Sequence, residues 1–204
     1  DSVMPSANYI DKAYQSSIGQ RAIDDYIEGN TGRKVELSSE VLGVARTGSG
    51  EPASATGGPG VPEAATNDAS LPGRLFRGTK RLLGNTKTDR TLVFDKAFRL
   101  VALVTPILVG IRQAIENTVG GKVKHACLGH PVNFEGIESG RNSIALKRLG
   151  ESYGYAGIAE QSFCPEPTAA TISFLHNHPQ SNDELILTVD FGGGTLDFSV
   201  LRRS

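Results

Sequence analysis

One segment limits what this chain can fold into more than any other: Leu185-Ile186-Leu187-Thr188-Val189-Asp190-Phe191-Gly192-Gly193-Gly194-Thr195-Leu196-Asp197-Phe198. An apolar run delivers a carboxylate, three glycines turn the chain, and Leu196, Phe198 and Val200 then alternate with Asp197 and Ser199. The alternation is the period of a strand, whereas a P-loop or a dinucleotide-binding turn demands a helix at that point. The segment is therefore expected to be a β-hairpin, with 185–190 as a buried strand. Glycines without Cβ atoms let backbone N–H groups approach phosphate oxygens closely. Carboxylates beside such a turn act through Mg2+ and its waters, and a threonine hydroxyl can donate to a phosphate. On these residues alone, a glycine-rich hairpin with two solvated aspartates is an equal reading.

Upstream, strands and helices interleave, which gives the class α/β. Tyr9 and Ile10 start an extended piece, and 19–27 places apolar residues three and four apart, as a helix does. Residues 46–73 are rich in Gly, Pro, Ser and Ala with little to bury, and read as a flexible insertion. Order returns at Leu75, with a strand at 92–94. The next helix uses Ile107, Leu108, Ile111 and Ile115 as one face. It begins either at Thr105-Pro106, as cap and first residue, or near Leu100 with the proline as a kink. A strand at 123–128, a helix at 141–153 stopped by Gly154, a strand at 158–163 and a helix at 167–175 follow.

The charge balance, 21 Lys and Arg against 22 Asp and Glu, offers no basic groove, so neither nucleic acid nor an anionic membrane is expected as a partner. The apolar run 100–111 falls short of the roughly 20 residues that cross a bilayer, and no signal-peptide pattern opens the sequence. A cytoplasmic location is the expectation. Cys127 and Cys164, the only cysteines, read as reduced thiols. His176 and His178 lack a third metal ligand nearby, and His125 and His130 beside Cys127 lack a carboxylate partner.

Several segments, in order, resemble the heat-shock chaperone ATPases of the DnaK type, within the actin-like ATPase superfamily. The hairpin resembles their second phosphate loop. Met4-Pro5-Ser6 and Gly19-Gln20-x-Ala22 resemble the Pro-Ser and Gly-Gln-x-Ala motifs. The segment 75–84, with Phe76, Lys80, Arg81 and Gly84, resembles the lysine segment with one extra residue. His130-Pro131-Val132-Asn133-Phe134 resembles the Val-Pro-x-x-Phe turn, and Pro165-Glu166-Pro167-Thr168-Ala169-Ala170 the Glu-Pro-Thr-Ala-Ala hinge helix.

The resemblance implies an actin-like (ribonuclease-H-like) lobe, a mixed sheet with flanking helices, plus the first hairpin of a second lobe. It divides the chain into a peripheral part at 1–90, a core at 91–183 with the hinge helix 167–175, and the second-lobe hairpin at 184–204. It implies ATP or ADP with Mg2+ as the ligands. Lys80 reaches the γ-phosphate and positions water, Glu166, Asp190 and Asp197 hold Mg2+ through water, and Gly192, Gly193, Gly194 and Thr195 bind phosphate. Pro131 relays nucleotide state, and Ala169 and Ala170 allow close helix crossing at the hinge. Co-chaperones and unfolded client polypeptides are the implied partners. The family's first phosphate loop, its adenosine pocket and its peptide-binding domain have no counterpart in these 204 residues, so poor turnover is expected of the chain alone. The alternative is a non-catalytic actin-like scaffold or filament module.

Overall fold

The computed structural model describes residues 4–34, 37–39, 66–68, 70–87, 89–134, 139–178, 183–191 and 196–203. It is α/β. Strand β1 (Ala7–Asp11) lies between β2 (Ser16–Ile18) and, further along the chain, β5 (Gly73–Arg77), antiparallel to both. Helix α1 (Gln20–Asn30) covers one face of β1, packing Ala22 on Ala7 and Tyr9. The other face meets α2 (Leu100–Val119): Ile10 joins Leu103 and Val93, and buried Asn8 donates to the Leu103 carbonyl at 3.0 Å. A strand buried on both faces explains why its polar residue must find a partner inside.

Between these elements, β3 (Leu37–Ser39) pairs with β4 (Thr66–Asp68). Residues 46–65 and 69 of the expected insertion lie outside the described residues. Its end is built into the fold, since β4 pairs and Gly73 opens β5. The hairpin of β6 (Arg90–Val93) and β7 (Lys96–Arg99) leads into α2, and β7 is a strand that the sequence reading lacked.

Helix α2 starts at Leu100, so Pro106 is internal and Thr105 is not its cap. The Thr105 hydroxyl instead donates to the Val101 carbonyl at 2.8 Å, one turn back. By length and composition α2 is long and apolar enough to cross a membrane. The helix extends beyond the apolar run 100–111, because the proline does not end it. Its inner face is nevertheless core, with Leu100, Val104 and Leu108 packed on Leu83, Phe134, Ala145 and Leu149.

The remaining elements are β8 (His125–His130), α3 (Arg141–Tyr155), β9 (Glu160–Pro165), α4 (Glu166–Asn177) and the hairpin β10 (Glu184–Phe191) and β11 (Leu196–Arg203). β8 and β9 pair in parallel across α3, the one parallel ladder among the described residues. The α3 helix runs through Gly154, and the left-handed glycine after it is Gly157 at φ +90°. A mixed sheet was expected; the described strands instead form one three-stranded and four two-stranded ladders.

The expectation of a buried strand at 185–190 is corrected. Leu185, Leu187, Val189 and Phe191 are all exposed, as are Leu196, Phe198 and Val200 opposite them. The apolar run has one face against α4, through Thr171 and Thr188, and nothing among the described residues covers the other. Near α2, the Arg99 guanidinium grips Glu151 with both nitrogens, and this bond holds the Glu151 carboxyl below the usual carboxylate range.

Leu103 has no exposed surface and sits where β1, β6 and α2 meet. Leu103→Ala is expected to cost about 2–5 kcal/mol of stability, read as a lower urea midpoint at unchanged slope.

Candidate phosphate-binding site

Parallel strands followed by helices direct their carboxyl ends toward one edge, and that edge is where α/β folds place their ligands. Here β8 ends at His130 and β9 ends at Pro165, paired residue to residue. The residues that follow them, Pro131 to Phe134 and Glu166, meet the other sequence-predicted groups.

Glu166 opens α4, and its carboxylate forms an ion pair with Lys80. Both side chains remain partly open to solvent, Lys80 at 40% and Glu166 at 32%, so the pair is accessible to a ligand. Lys80 is carried by the 3-10 turn Thr79–Gly84, entered through left-handed Gly78. Fully buried Leu83 anchors that turn in the core, while Arg148 donates to the carbonyls of Leu83 and Asn85 at 2.8 and 2.6 Å. Gly129 lies under Glu166: a Cβ there would come within 3.3 Å of Glu166 Cγ. The missing side chain lets the carboxylate cross the end of β8. Burial raises the Tyr153 pKa, and the Glu166 charge raises it further, so the tyrosine stays neutral beside the pair.

On the other side of the same strand end, Asp190 and Asp197 stand directly opposite each other in the β10–β11 ladder. Asp197 is 5% exposed. One oxygen accepts the Val132 N–H at 3.2 Å, and the second is buried with no hydrogen-bond partner among the described residues. Like charges at opposed ladder positions repel, and a buried carboxylate oxygen without a donor costs more still. A cation at this position relieves both. The residues fit a divalent ion with water between, although among the described residues no three ligating side chains converge for direct coordination. Gly192, Gly193, Gly194 and Thr195 lie outside the described residues.

The turn after β8 is held by contacts that no motif announced. Asn142, at the start of α3, accepts the Phe134 N–H at 2.9 Å and donates to Asn133 Oδ1 at 3.0 Å, while Arg141 donates to the Phe134 carbonyl at 2.8 Å. Pro131 and Phe134 are buried, so Val132 is presented to Asp197 from a fixed backbone. A polar residue in the first turn of a helix, just after a glycine, was the available signal, and it is a weak one.

The weaker candidates have ordinary partners. His130 Nδ1 lies 2.8 Å from the Pro131 carbonyl and its ring stacks on Phe134. His125 Nε2 is 3.3 Å from Ser162 Oγ, Cys127 is exposed, and His178 stacks on Phe174. His176 is exposed in the last turn of α4. Ala169 and Ala170 face solvent on α4, where no described helix crosses them.

A sequence model of the family described as Hsp70 protein matches residues 79–204, more than half of the chain and every one of these groups. The chain belongs to the Hsp70 family. Among curated relatives, the chaperone protein DnaK of Mycoplasmopsis agalactiae is 31% identical over 122 residues, 60% of this chain and 19% of that protein. DnaK of Mycoplasmopsis pulmonis is 32% identical over the same shares, and DnaK of Mesomycoplasma hyopneumoniae 28% identical over 69% of this chain and 22% of its own length. The chain thus matches about a fifth of the length of these relatives. Hsp70 membership carries the actin-like ATPase fold, with which the α/β architecture is consistent. The matched segment begins at Thr79, so the Met4-Pro5-Ser6 and Gly19-Gln20 resemblances lie outside it.

Replacing Asn142 by alanine removes the acceptor of the Phe134 amide. Asn142→Ala is expected to lower stability by about 1 kcal/mol and to speed hydrogen exchange at Phe134 and Val132, measured by NMR, while leaving amides of α2 unchanged.

Proposed function

We propose that this chain is part of the nucleotide-binding domain of an Hsp70-type chaperone and forms one side of a clamp on the phosphates of ATP. The observation that supports this most directly is the Asp190–Asp197 pair, with a buried, unpartnered Asp197 oxygen, set beside the Lys80–Glu166 ion pair at the ends of β8 and β9. In this reading residues 91–183 form the core of the first lobe, 1–90 its periphery, α4 the hinge helix and 184–204 the opening hairpin of the second lobe.

Each residue has a role that its surroundings favour. Lys80, tethered at the rim by Glu166, turns its ammonium toward the γ-phosphate and orients the attacking water, a compact cation matched to charge that develops on phosphoryl transfer. Glu166, Asp190 and Asp197 accept hydrogen bonds from the waters around Mg2+, and the ion, when bound, neutralises phosphate charge. The backbone of 192–194 and the Thr195 hydroxyl hold phosphate oxygens. Because Asp197 also accepts the Val132 amide, loss or rearrangement of phosphate is felt at the Pro131 turn, and α4 carries the change between lobes. Hydrolysis to ADP coupled to that movement would drive client folding in the cytoplasm, with co-chaperones as further partners.

Asp190→Asn and Asp197→Asn test the assignment. Measured in the complete protein with Mg2+ and ATP, each is expected to lower kcat by about 100-fold or more with an unchanged circular dichroism spectrum. Wild-type turnover in both variants would overturn it.

A further inference from the structure

Among the described residues Asp197 is the one buried carboxylate, and its two oxygens differ. The first accepts the Val132 N–H at 3.2 Å, and the second is buried without a partner. A carboxylate rotates about a broad, two-fold terminal torsion, so a donor on one oxygen decides where the other points. The Val132 amide therefore orients Asp197, and what holds that amide holds the carboxylate.

The Val132 side chain does little of this, being 40% exposed. The turn is held instead by one side chain of α3. Asn142 Oδ1 accepts the Phe134 N–H at 2.9 Å, and its Nδ2 donates to Asn133 Oδ1 at 3.0 Å and to the Val132 carbonyl at 3.4 Å. A single planar amide thus grips both peptide units that follow the Val132 nitrogen, one at its carbonyl and the next at its N–H. Asn142 does not cap its own helix, since the cap of α3 is left-handed Gly140 and no side chain bonds there. Its bonds run back to 132–134, while Ala145 and Leu149 sink α3 into the core and give Asn142 a fixed base. A polar group placed in this way keeps a ligating carboxylate near its working geometry, so that binding does not have to order it.

We infer that Asn142 is a positioning residue for magnesium: through the Val132 amide it orients Asp197, leaving the second Asp197 oxygen to accept a hydrogen bond from a water of the ion. This role rests on the reading of Asp197 as a group that holds Mg2+ through water. Asn142 acts on that group through the backbone alone.

Calorimetric titration of the complete protein with ADP, once with Mg2+ and once with EDTA, separates this role from a merely structural one, because only the Mg2+-dependent gain in affinity reports on the ion. Asn142→Ala is expected to reduce that gain by about tenfold, while its affinity in EDTA stays within about twofold of wild type. Asp197→Asn should reduce the gain as well. Ile10→Val, which thins the distant core between β1 and α2, should keep it. A full gain in Asn142→Ala beside a reduced one in Asp197→Asn would overturn the role of Asn142 alone. An equal loss with and without Mg2+ in Asn142→Ala, or a reduced gain in Ile10→Val, would do the same, since a general loosening of the fold would then explain it. A wild-type protein with no gain, or an Asp197→Asn variant that keeps it, would overturn the reading of Asp197 and with it the role of Asn142.

Discussion

The burial of Leu83 is the constraint on which the site depends. A six-residue 3-10 turn has little stability of its own, because its hydrogen bonds are few and poorly aligned. Sinking one leucine completely among Leu100, Val104, Leu108, Ala145 and Leu149 contributes about 1.5–3 kcal/mol and converts the turn into a rigid extension of the α2–α3 core. Arg148 then ties off two of the carbonyls that the turn and the residue after it leave without helical partners. Lys80, three residues before Leu83, inherits that rigidity at its backbone while its long side chain reaches out, half-exposed, to Glu166.

The same core fixes the other half of the site from behind. Phe134 is buried in it, Asn142 and Arg141 hold the backbone of Phe134 from α3, and the Val132 amide is thereby aimed at Asp197. One apolar cluster therefore supports both the cationic and the anionic sides of the site. The two sides meet at the end of β8, where Gly129 makes room for Glu166 and Val132 reaches Asp197.

What the sequence revealed followed from short-range chemistry. The hairpin around the three glycines, the helices at 20–30 and 141–155 and the α/β class were legible because periodicity and turn residues act over a few positions. Lys80, Glu166, Asp190 and Asp197 were legible as candidates through motif order. Their pairing was not: Lys80 and Glu166 are 86 residues apart, and only the packing of the 3-10 turn on α2 and α3 and of α4 against β8 and β9 brings them together. Gly129 carried no signal and Asn142 only a weak one, since their importance lies in who sits beside them. The apolar run at 185–190 misled because hydrophobicity states what a strand can bury, while burial depends on a neighbour, and here β10 shows its leucines to solvent. Pro106 left two helix starts open, and the structure takes the one at Leu100, because packing on both sides of α2 carries the helix through a residue that usually ends one.

We propose that this rigid edge places Lys80 to act on phosphate rather than merely to pair with Glu166. Single-turnover hydrolysis of ATP by the complete protein carrying Lys80→Ala, with nucleotide affinity measured in parallel, tests it most directly. The chemical step is expected to slow by about 100-fold or more while affinity changes far less. Hydrolysis at the wild-type rate would contradict it, and would leave the ion pair as a structural contact alone.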